Sequence, residues 1–216
     1  MTLPVARYGA KVIRVVSAVC LALTLAGAFI IGEYALFLLL PIAFAVYFFR
    51  DPERRPDDES SKAVIAPADG KVVGISTGTM PFDGVPATKI DIFLSVFDVH
   101  INRSPVAGKV VDARYRRGAF LNALKAEAGD ANESNTLLLQ LEGGQRVAVK
   151  QIAGIIARRI VCAVSEGDFL SAGQRFGMIM FGSRTQVFIP AALAFEARVA
   201  VGEHVKAGKT VLGYLG

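Results

Sequence analysis

Between Val15 and Phe49 the chain carries one charged residue, Glu33, in the run VVSAVCLALTLAGAFIIGEYALFLLLPIAFAVYFF. No other stretch so limits what the chain can fold into. As one helix it would be about 50 Å long at about 1.5 Å per residue, against a hydrocarbon core of about 30 Å. Two arms broken at Gly32-Glu33 fit better, either spanning a thin bilayer or forming a shallow re-entrant hairpin. Arg7, Lys11 and Arg14 precede the first arm and Arg50, Arg54 and Arg55 follow the second. Basic flanks stay on the cytoplasmic side, so both ends are expected there, at the cell (inner) membrane. A cleaved signal peptide fits less well, because the second apolar arm follows the first directly with no polar mature start. A very hydrophobic core hairpin is the soluble alternative.

The run sets the domain division. Residues 1–50 are expected to form the anchoring hairpin. Residues 51–63, polar and with prolines, read as a linker, and 64–216 as one mainly β domain large enough to bury a core without staples. Short β-type runs separated by glycine fill that domain: KVVGIST, TKIDIFLSVFDVHIN, GKVVDARYR, NTLLLQLEGG, QRVAVKQIAGIIARRIVCAV, RFGMIMFG, TQVFIP, FEARVAV and TVLGYL. Ile90, Ile92, Leu94 and Val96 alternate onto one face, the mark of a half-buried strand. Only GAFLNALKAEAGD, residues 118–130, reads as a helix, with Asn122 and Lys125 away from its apolar side. Two echoes recur: PADGKVV (67–73) with PVAGKVV (105–111), and GDFLSAG (167–173) with GEHVKAG (202–208). The expected fold is mainly β, sandwich- or barrel-like, with the N-terminal α-helical hairpin attached. Its strand-turn repeats resemble those of biotinyl and lipoyl carrier domains. A carrier function is disfavoured, because no turn presents a lysine in the MKM or DKA manner.

Charge and cysteine content exclude several classes. The net charge is +5, and residues 1–55 supply six cations against Glu33, Asp51 and Glu53. These suit anionic lipid headgroups, whereas the scattered basic residues elsewhere form no nucleic-acid footprint. Cys20 and Cys162 imply neither a disulfide framework nor a metal site, and no metal is expected.

There are two histidines. His204, in GEHVKAGK, is expected in an exposed turn. His100, in SVFDVHINRSP, ends an alternating apolar run; it is either a satisfied turn residue or a base. Asp69 lies in the first of the two similar proline turns and His100 precedes the second. A repeat that sets the turns side by side would bring Asp69 toward His100, an acid orienting an imidazole; an ordinary Asp-Gly turn is the plainer reading. Ser183 belongs to the one Gly-Ser pair in the chain, in FGSR. It lacks the G-x-S-x-G elbow, since Phe181 and Thr185 stand at the flanking positions, so a conventional esterase is not supported.

APADGKV, FLSVFDVHINRSPVAGKV, RRGAFLNAL, ANESN and FGSR, in this order and spacing, resemble the phosphatidylserine decarboxylases of the short, membrane-anchored bacterial and archaeal form. The likeness covers nearly the whole chain. Two positions depart from the family pattern: FGSR stands where longer members carry LGST, and Asn132-Glu133-Ser134 where many carry NER. The resemblance implies a proenzyme that cuts itself between Gly182 and Ser183, leaving a large chain 1–182 and a small chain 183–216. It implies a covalent pyruvoyl cofactor made from Ser183, with His100 as base and later proton donor and Asp69 orienting it. The implied activity converts phosphatidylserine of an anionic membrane to phosphatidylethanolamine and carbon dioxide through a Schiff base, with the catalytic domain on the cytoplasmic side. The number of associating copies is left open. Two other functions stay in view: a pyruvoyl decarboxylase of a free amino acid, and a membrane-tethered adaptor β domain without catalysis.

Overall fold

The structure is a computed structural model that describes residues 5–155, 159–180 and 182–216. The chain divides into two compact units, Met1–Glu53 and Arg54–Gly216.

In the first unit, helix α1 (Ala10–Ile31) ends where Gly32 takes a left-handed φ of 58°. The chain then returns through a 3-10 stretch, Gly32–Leu39, into α2 (Leu40–Phe48), and both returning segments pack on α1. The expected break is therefore where the chain turns, although the second arm starts as 3-10 helix. At the base, Ala6 N–H donates to the Phe49 carbonyl at 2.8 Å, and Phe48 and Phe49 meet edge to face with centroids 5.0 Å apart. Gly9 lies flush against the Phe49 ring, where a Cβ would sit 2.2 Å from it. The outer faces are apolar and bare: Phe29 is 95% and Ile30 84% exposed. By length and composition, Arg7–Phe48 is apolar enough to cross a membrane.

The second unit is mainly β. Its strands are β1 (Ala63–Ile65), β2 (Gly70–Thr79), β3 (Pro86–Leu94), β4 (Ile101–Arg103), β5 (Gly108–Arg116), β6 (Ser134–Gln140), β7 (Arg146–Ile152), β8 (Ile160–Cys162), β9 (Phe169–Leu170), β10 (Arg175–Ile179), β11 (Ser183–Pro190), β12 (Glu196–Ala197), β13 (His204–Val205) and β14 (Val211–Tyr214). One antiparallel sheet runs β13-β2-β3-β11-β7-β6-β5-β9, and two small sheets, β1-β14-β12 and β4-β10-β8, accompany it. Ile90, Ile92 and Leu94 of β3, Leu137 and Leu139 of β6, Val147 and Val149 of β7 and Val187 and Ile189 of β11 are fully buried in one core.

The echoes in the sequence mark a near-symmetric construction. β2 and β5 each begin at the glycine of a Gly-Lys-Val-Val motif, and each carries a register shift just past the first valine. Gly70 pairs with Val205 of β13 as Gly108 pairs with Leu170 of β9. The two proline turns lie side by side: Ile65 N–H reaches the Pro105 carbonyl at 2.8 Å and Arg103 N–H the Pro67 carbonyl at 2.9 Å.

The helix expected over 118–130 does not form; only α3 (Ala128–Ala131) is helical. The backbone groups a helix would use are taken elsewhere. Ala119 N–H donates to Ala131, Glu133 N–H donates to Ala119, and Leu121 is held at both N–H and C=O by the Asn132 side chain. Within the segment expected as a linker, Asp57 N–H donates to Lys209 O and Asp58 accepts the Tyr214 hydroxyl, both at 2.9 Å. Of the strand-like run QRVAVKQIAGIIARRIVCAV, the described parts form β7 and β8, while residues 156–158 and the Phe181 flank of FGSR lie outside the described residues.

Gly70 and Gly84 separate two demands on glycine. Both have positive φ, 140° and 73°; a Cβ at Gly70 would lie 2.0 Å from the Phe93 carbonyl oxygen, while at Gly84 it would meet nothing within 4 Å. In urea unfolding, Gly84→Ala should cost about 1–2 kcal/mol from φ alone. Gly70→Ala should add about 1–3 kcal/mol of overpacking; equal losses would refute the close approach.

Candidate functional site

Ser183 opens β11 opposite Leu94, the last residue of β3. Gly182 before it has φ 61°, with open space where a Cβ would point, so conformation rather than room favours glycine here. Ser183 is fully buried, and among the described residues nothing hydrogen-bonds its Oγ. A buried hydroxyl left so costs about 1–3 kcal/mol, a cost retained most readily where the group reacts.

The carbonyl of Gly182 rests on Gly154. A Cβ built on Gly154 would fall 1.8 Å from that oxygen, so only glycine permits the approach. Gly154 is itself held. Fully buried Asn132 donates to Ala153 O at 2.8 Å and to Leu121 O at 2.9 Å, and accepts from Leu121 N–H at 2.8 Å. This binds the 121–124 loop to the end of β7. Nearby, Lys150 donates to Gly129 O at 2.7 Å, and burial, with Arg116 adding to it, pushes its ammonium below the usual lysine pKa.

His100 precedes β4 and is fully buried; its carbonyl accepts the Ile179 N–H at 3.2 Å. The turn between β3 and β4 therefore brackets the Gly182-Ser183 bond, with Leu94 opposite Ser183 on one side and His100 opposite Ile179 on the other. His100 Nδ1 lies 2.9 Å from the Asp98 carbonyl oxygen. A carbonyl can only accept, so Nδ1 carries the proton and the basic lone pair belongs to Nε2. Two residues on, Asn102 Nδ2 donates to Thr185 Oγ1 at 3.2 Å. Thr185 in turn is two residues after Ser183. With a side-chain period of 2, this bond locks the register of the strand after His100 to the strand after Ser183. The row continues: Gln151 donates to Asn102 Oδ1 at 2.9 Å and Asn135 to Gln151 Oε1 at 3.2 Å.

These amides and Gly154 escaped the sequence reading. The signal was present: Asn135, Gln151 and Thr185 alternate with Leu137, Val149 and Val187, which places three polar residues on the apolar face of neighbouring strands.

The paired turns bring Asp69 to the side of β4 but not onto His100, whose Nδ1 bonds the Asp98 carbonyl instead, so the expected acid–imidazole hydrogen bond does not form. The Asp69 carboxylate takes a bidentate pair from Arg54, one contact at 2.9 Å, and the Ala207 N–H at 2.8 Å. Arg184 is buried, its guanidinium on Lys125 O at 2.9 Å and 3.5 Å from Asp91, and Arg103 donates to Gly173 O at 3.1 Å. Phe82 lies under the Arg114 guanidinium and Phe120 is half-buried. His204 is exposed on β13, opposite Lys71. Chemically, the arrangement buries a hydroxyl, a carbonyl lying against a bare glycine and an imidazole of defined tautomer on neighbouring segments, with no hydrogen bond between Ser183 Oγ and His100 Nε2. Replacing Asn102 by Leu, which strands the Thr185 hydroxyl and leaves Gln151 Nε2 with the Val161 carbonyl alone, should cost about 2 kcal/mol in urea unfolding; an unchanged midpoint would show the row to be energetically idle.

The sequence model of the phosphatidylserine decarboxylase family matches residues 42–213. Two relatives, from Burkholderia ambifaria (strain MC40-6) and Burkholderia vietnamiensis (strain G4 / LMG 22486), are 43% and 42% identical over 211 residues, covering 98% of this chain and 96% of theirs. A third, from Citrifermentans bemidjiense, is 42% identical over 217 residues, 98% of this chain and 97% of its own. Each relative is named phosphatidylserine decarboxylase proenzyme.

Proposed function

The chain belongs to the phosphatidylserine decarboxylase family, enzymes that turn phosphatidylserine into phosphatidylethanolamine and carbon dioxide, and we propose that it becomes active by cutting its own backbone between Gly182 and Ser183. The observation that carries this reading is a fully buried serine hydroxyl, with no hydrogen-bond partner among the described residues, directly after a glycine of left-handed φ.

His100 Nε2 takes the Ser183 hydroxyl proton as Oγ attacks the Gly182 carbonyl carbon. The proton passes to the Ser183 nitrogen as the C–N bond breaks, and the peptide becomes an ester. Loss of the Ser183 Cα proton then expels the Gly182 carboxylate with the Cβ–O electrons. The dehydroalanine left behind takes up water and releases ammonia. One water enters, one ammonia leaves, and no oxidant or reductant is needed. The resulting pyruvoyl group at the head of 183–216 supplies an electron sink for the pair released as the substrate carboxylate departs.

The chain's own residues do the rest. The ladder from Ser183 to Pro190 holds the new terminus in place. His100 returns a proton to the substrate carbon after carbon dioxide leaves. Asp69 acts as a positioning residue through its turn: the Pro67 carbonyl receives the Arg103 N–H, while the Asp69 carboxylate accepts from Arg54 and Ala207. The basic flanks of the apolar hairpin support a place on the cytoplasmic side of the cell membrane.

Denaturing electrophoresis and intact mass, with and without borohydride, test this. The wild-type chain should give two polypeptides, the smaller with a reducible carbonyl, and should act on phosphatidylserine but not on free amino acids. Ser183→Ala should remain one chain, and His100→Ala should cut at least about 100-fold more slowly. An uncut wild-type chain that still releases carbon dioxide would end the proposal.

Gly154→Ala checks the geometry. The added methyl should displace the Gly182 carbonyl and slow cutting about 100-fold, and should lower the urea midpoint below that of Ser183→Ala by the about 1–3 kcal/mol of overpacking that so close an approach costs. Cutting at the wild-type rate would dismiss Gly154 as the rest for this carbonyl.

A further inference from the structure

Among the described residues of the second unit eight large apolar side chains are more than a third exposed, and four of them are Phe97 (65%), Leu121 (37%), Leu124 (54%) and Ile155 (56%). These four lie in three segments that meet at the Gly182-Ser183 bond. Phe97 sits in the turn that joins Leu94, opposite Ser183, to His100, opposite Ile179; Asp98 ties that turn by accepting from the Ser95 N–H at 2.8 Å and hydroxyl at 2.7 Å. Leu121 and Leu124 belong to the loop that Asn132 binds to Ala153. Ile155 follows Gly154, which carries the Gly182 carbonyl. Isolated exposed leucines need no explanation, but apolar side chains gathered around one buried reactive group do.

Charge points to the occupant. Lys125, in the same loop, and Arg159, whose carbonyl accepts the Met180 N–H at 3.2 Å, are both exposed beside these segments, while the exposed acids Glu127 and Asp130 lie farther along, at the start of α3 and within it. Apolar tips flanked by cations suit the boundary of an anionic bilayer, where the tips enter the acyl region and the cations remain among the headgroups. We propose that Phe97, Leu121, Leu124 and Ile155 form a rim by which the β unit itself dips into an anionic lipid surface around its active site, with Lys125 and Arg159 at headgroup level. The inference rests on the phospholipid reading above and deepens it. A diacyl substrate whose reacting carbon must reach the depth of residue 183 need not leave the bilayer if the rim is already in it. The hairpin attaches the chain to a membrane, and the rim orients the site toward one.

The chain has no tryptophan, so one introduced indole reports alone. Phe97→Trp, Leu121→Trp, Leu124→Trp and Ile155→Trp in the full chain, reconstituted in phosphatidylcholine vesicles with brominated acyl chains and phosphatidylglycerol, should show blue-shifted, quenched emission. Phe169→Trp is the control. Phe169 is 67% exposed and pairs with Lys109, seven residues along β5 from Arg116, which shares the Ser134 row at the Ser183 end of the sheet. It should stay unquenched. Quenching of no rim position, or of Phe169→Trp equally, would overturn the proposal. Leu124→Glu should cut normally and keep its activity on a monomeric short-chain phosphatidylserine. On phosphatidylserine in vesicles it should lose about 10-fold; equal rates on vesicles for Leu124→Glu and wild type would also overturn it. A wild-type chain inactive on both substrates would instead refute the function on which the rim depends.

Discussion

A row of buried amides and a hydroxyl crosses the apolar face of the sheet and joins the strand that follows His100 to the strand that begins at Ser183. Asn102, Thr185, Gln151 and Asn135 are each 7% exposed or less, and each hydrogen-bonds within the row. Polar groups taken from water into such a core gain little net stability even when paired. Apolar residues of equal volume would hold the sheet about as well. What they would not supply is register: a one-residue slip of β11 against β4 would leave several amides unpaired at once, whereas an apolar face would tolerate repacking. The relation between the His100 and Ser183 backbones is thus maintained by residues that hydrogen-bond neither His100 Nε2 nor Ser183 Oγ.

Close backbone approach sets the second constraint. Gly182 and Gly154 are glycines for different reasons, the first for its φ of 61° and the second because the Gly182 carbonyl oxygen occupies the space of a Cβ. Asn132 transmits the position of the 121–124 loop to that carbonyl through Ala153. This accounts physically for Asn132 in the segment where the chain departs from the family pattern. The asparagine works through its carboxamide, and nothing in its three contacts involves the serine that follows Glu133.

What could be read in advance was whatever depends on local pattern. Period-2 alternation located the strands, and the doubled Gly-Lys-Val-Val motif announced two turns that do lie together. Long-range approach was not legible. The 118–130 segment has helical periodicity, but the hydrogen bonds of Ala119 and Leu121 to Ala131, Glu133 and Asn132 outweigh local propensity. Arg54, which binds the Asp69 carboxylate, stands 15 residues away in a stretch that reads as linker. Gly154 looks like any loop glycine until the carbonyl beside it is seen.

On the proposed reading, the position of the cut also explains why the enzyme survives it. Residues 183–216 supply β11, paired with β3 from Ser183↔Leu94 to Pro190↔Ala87 and with β7 on its other edge, together with β12, β13 and β14. Val187 and Ile189 are fully buried, so release of the small chain would expose a central strand and its side of the core. The bond that breaks lies at the first residue of that ladder, where the backbone changes from a left-handed glycine to a fully paired strand. Before the cut, residue 183 is wholly enclosed and no lipid amine can reach it. Afterwards the 182 end is held by the large chain alone, with open space on its Cβ side into which to withdraw. A single bond broken at the edge of a rigid ladder therefore makes the reactive terminus and removes part of its cover, while the strand that presents it stays fixed.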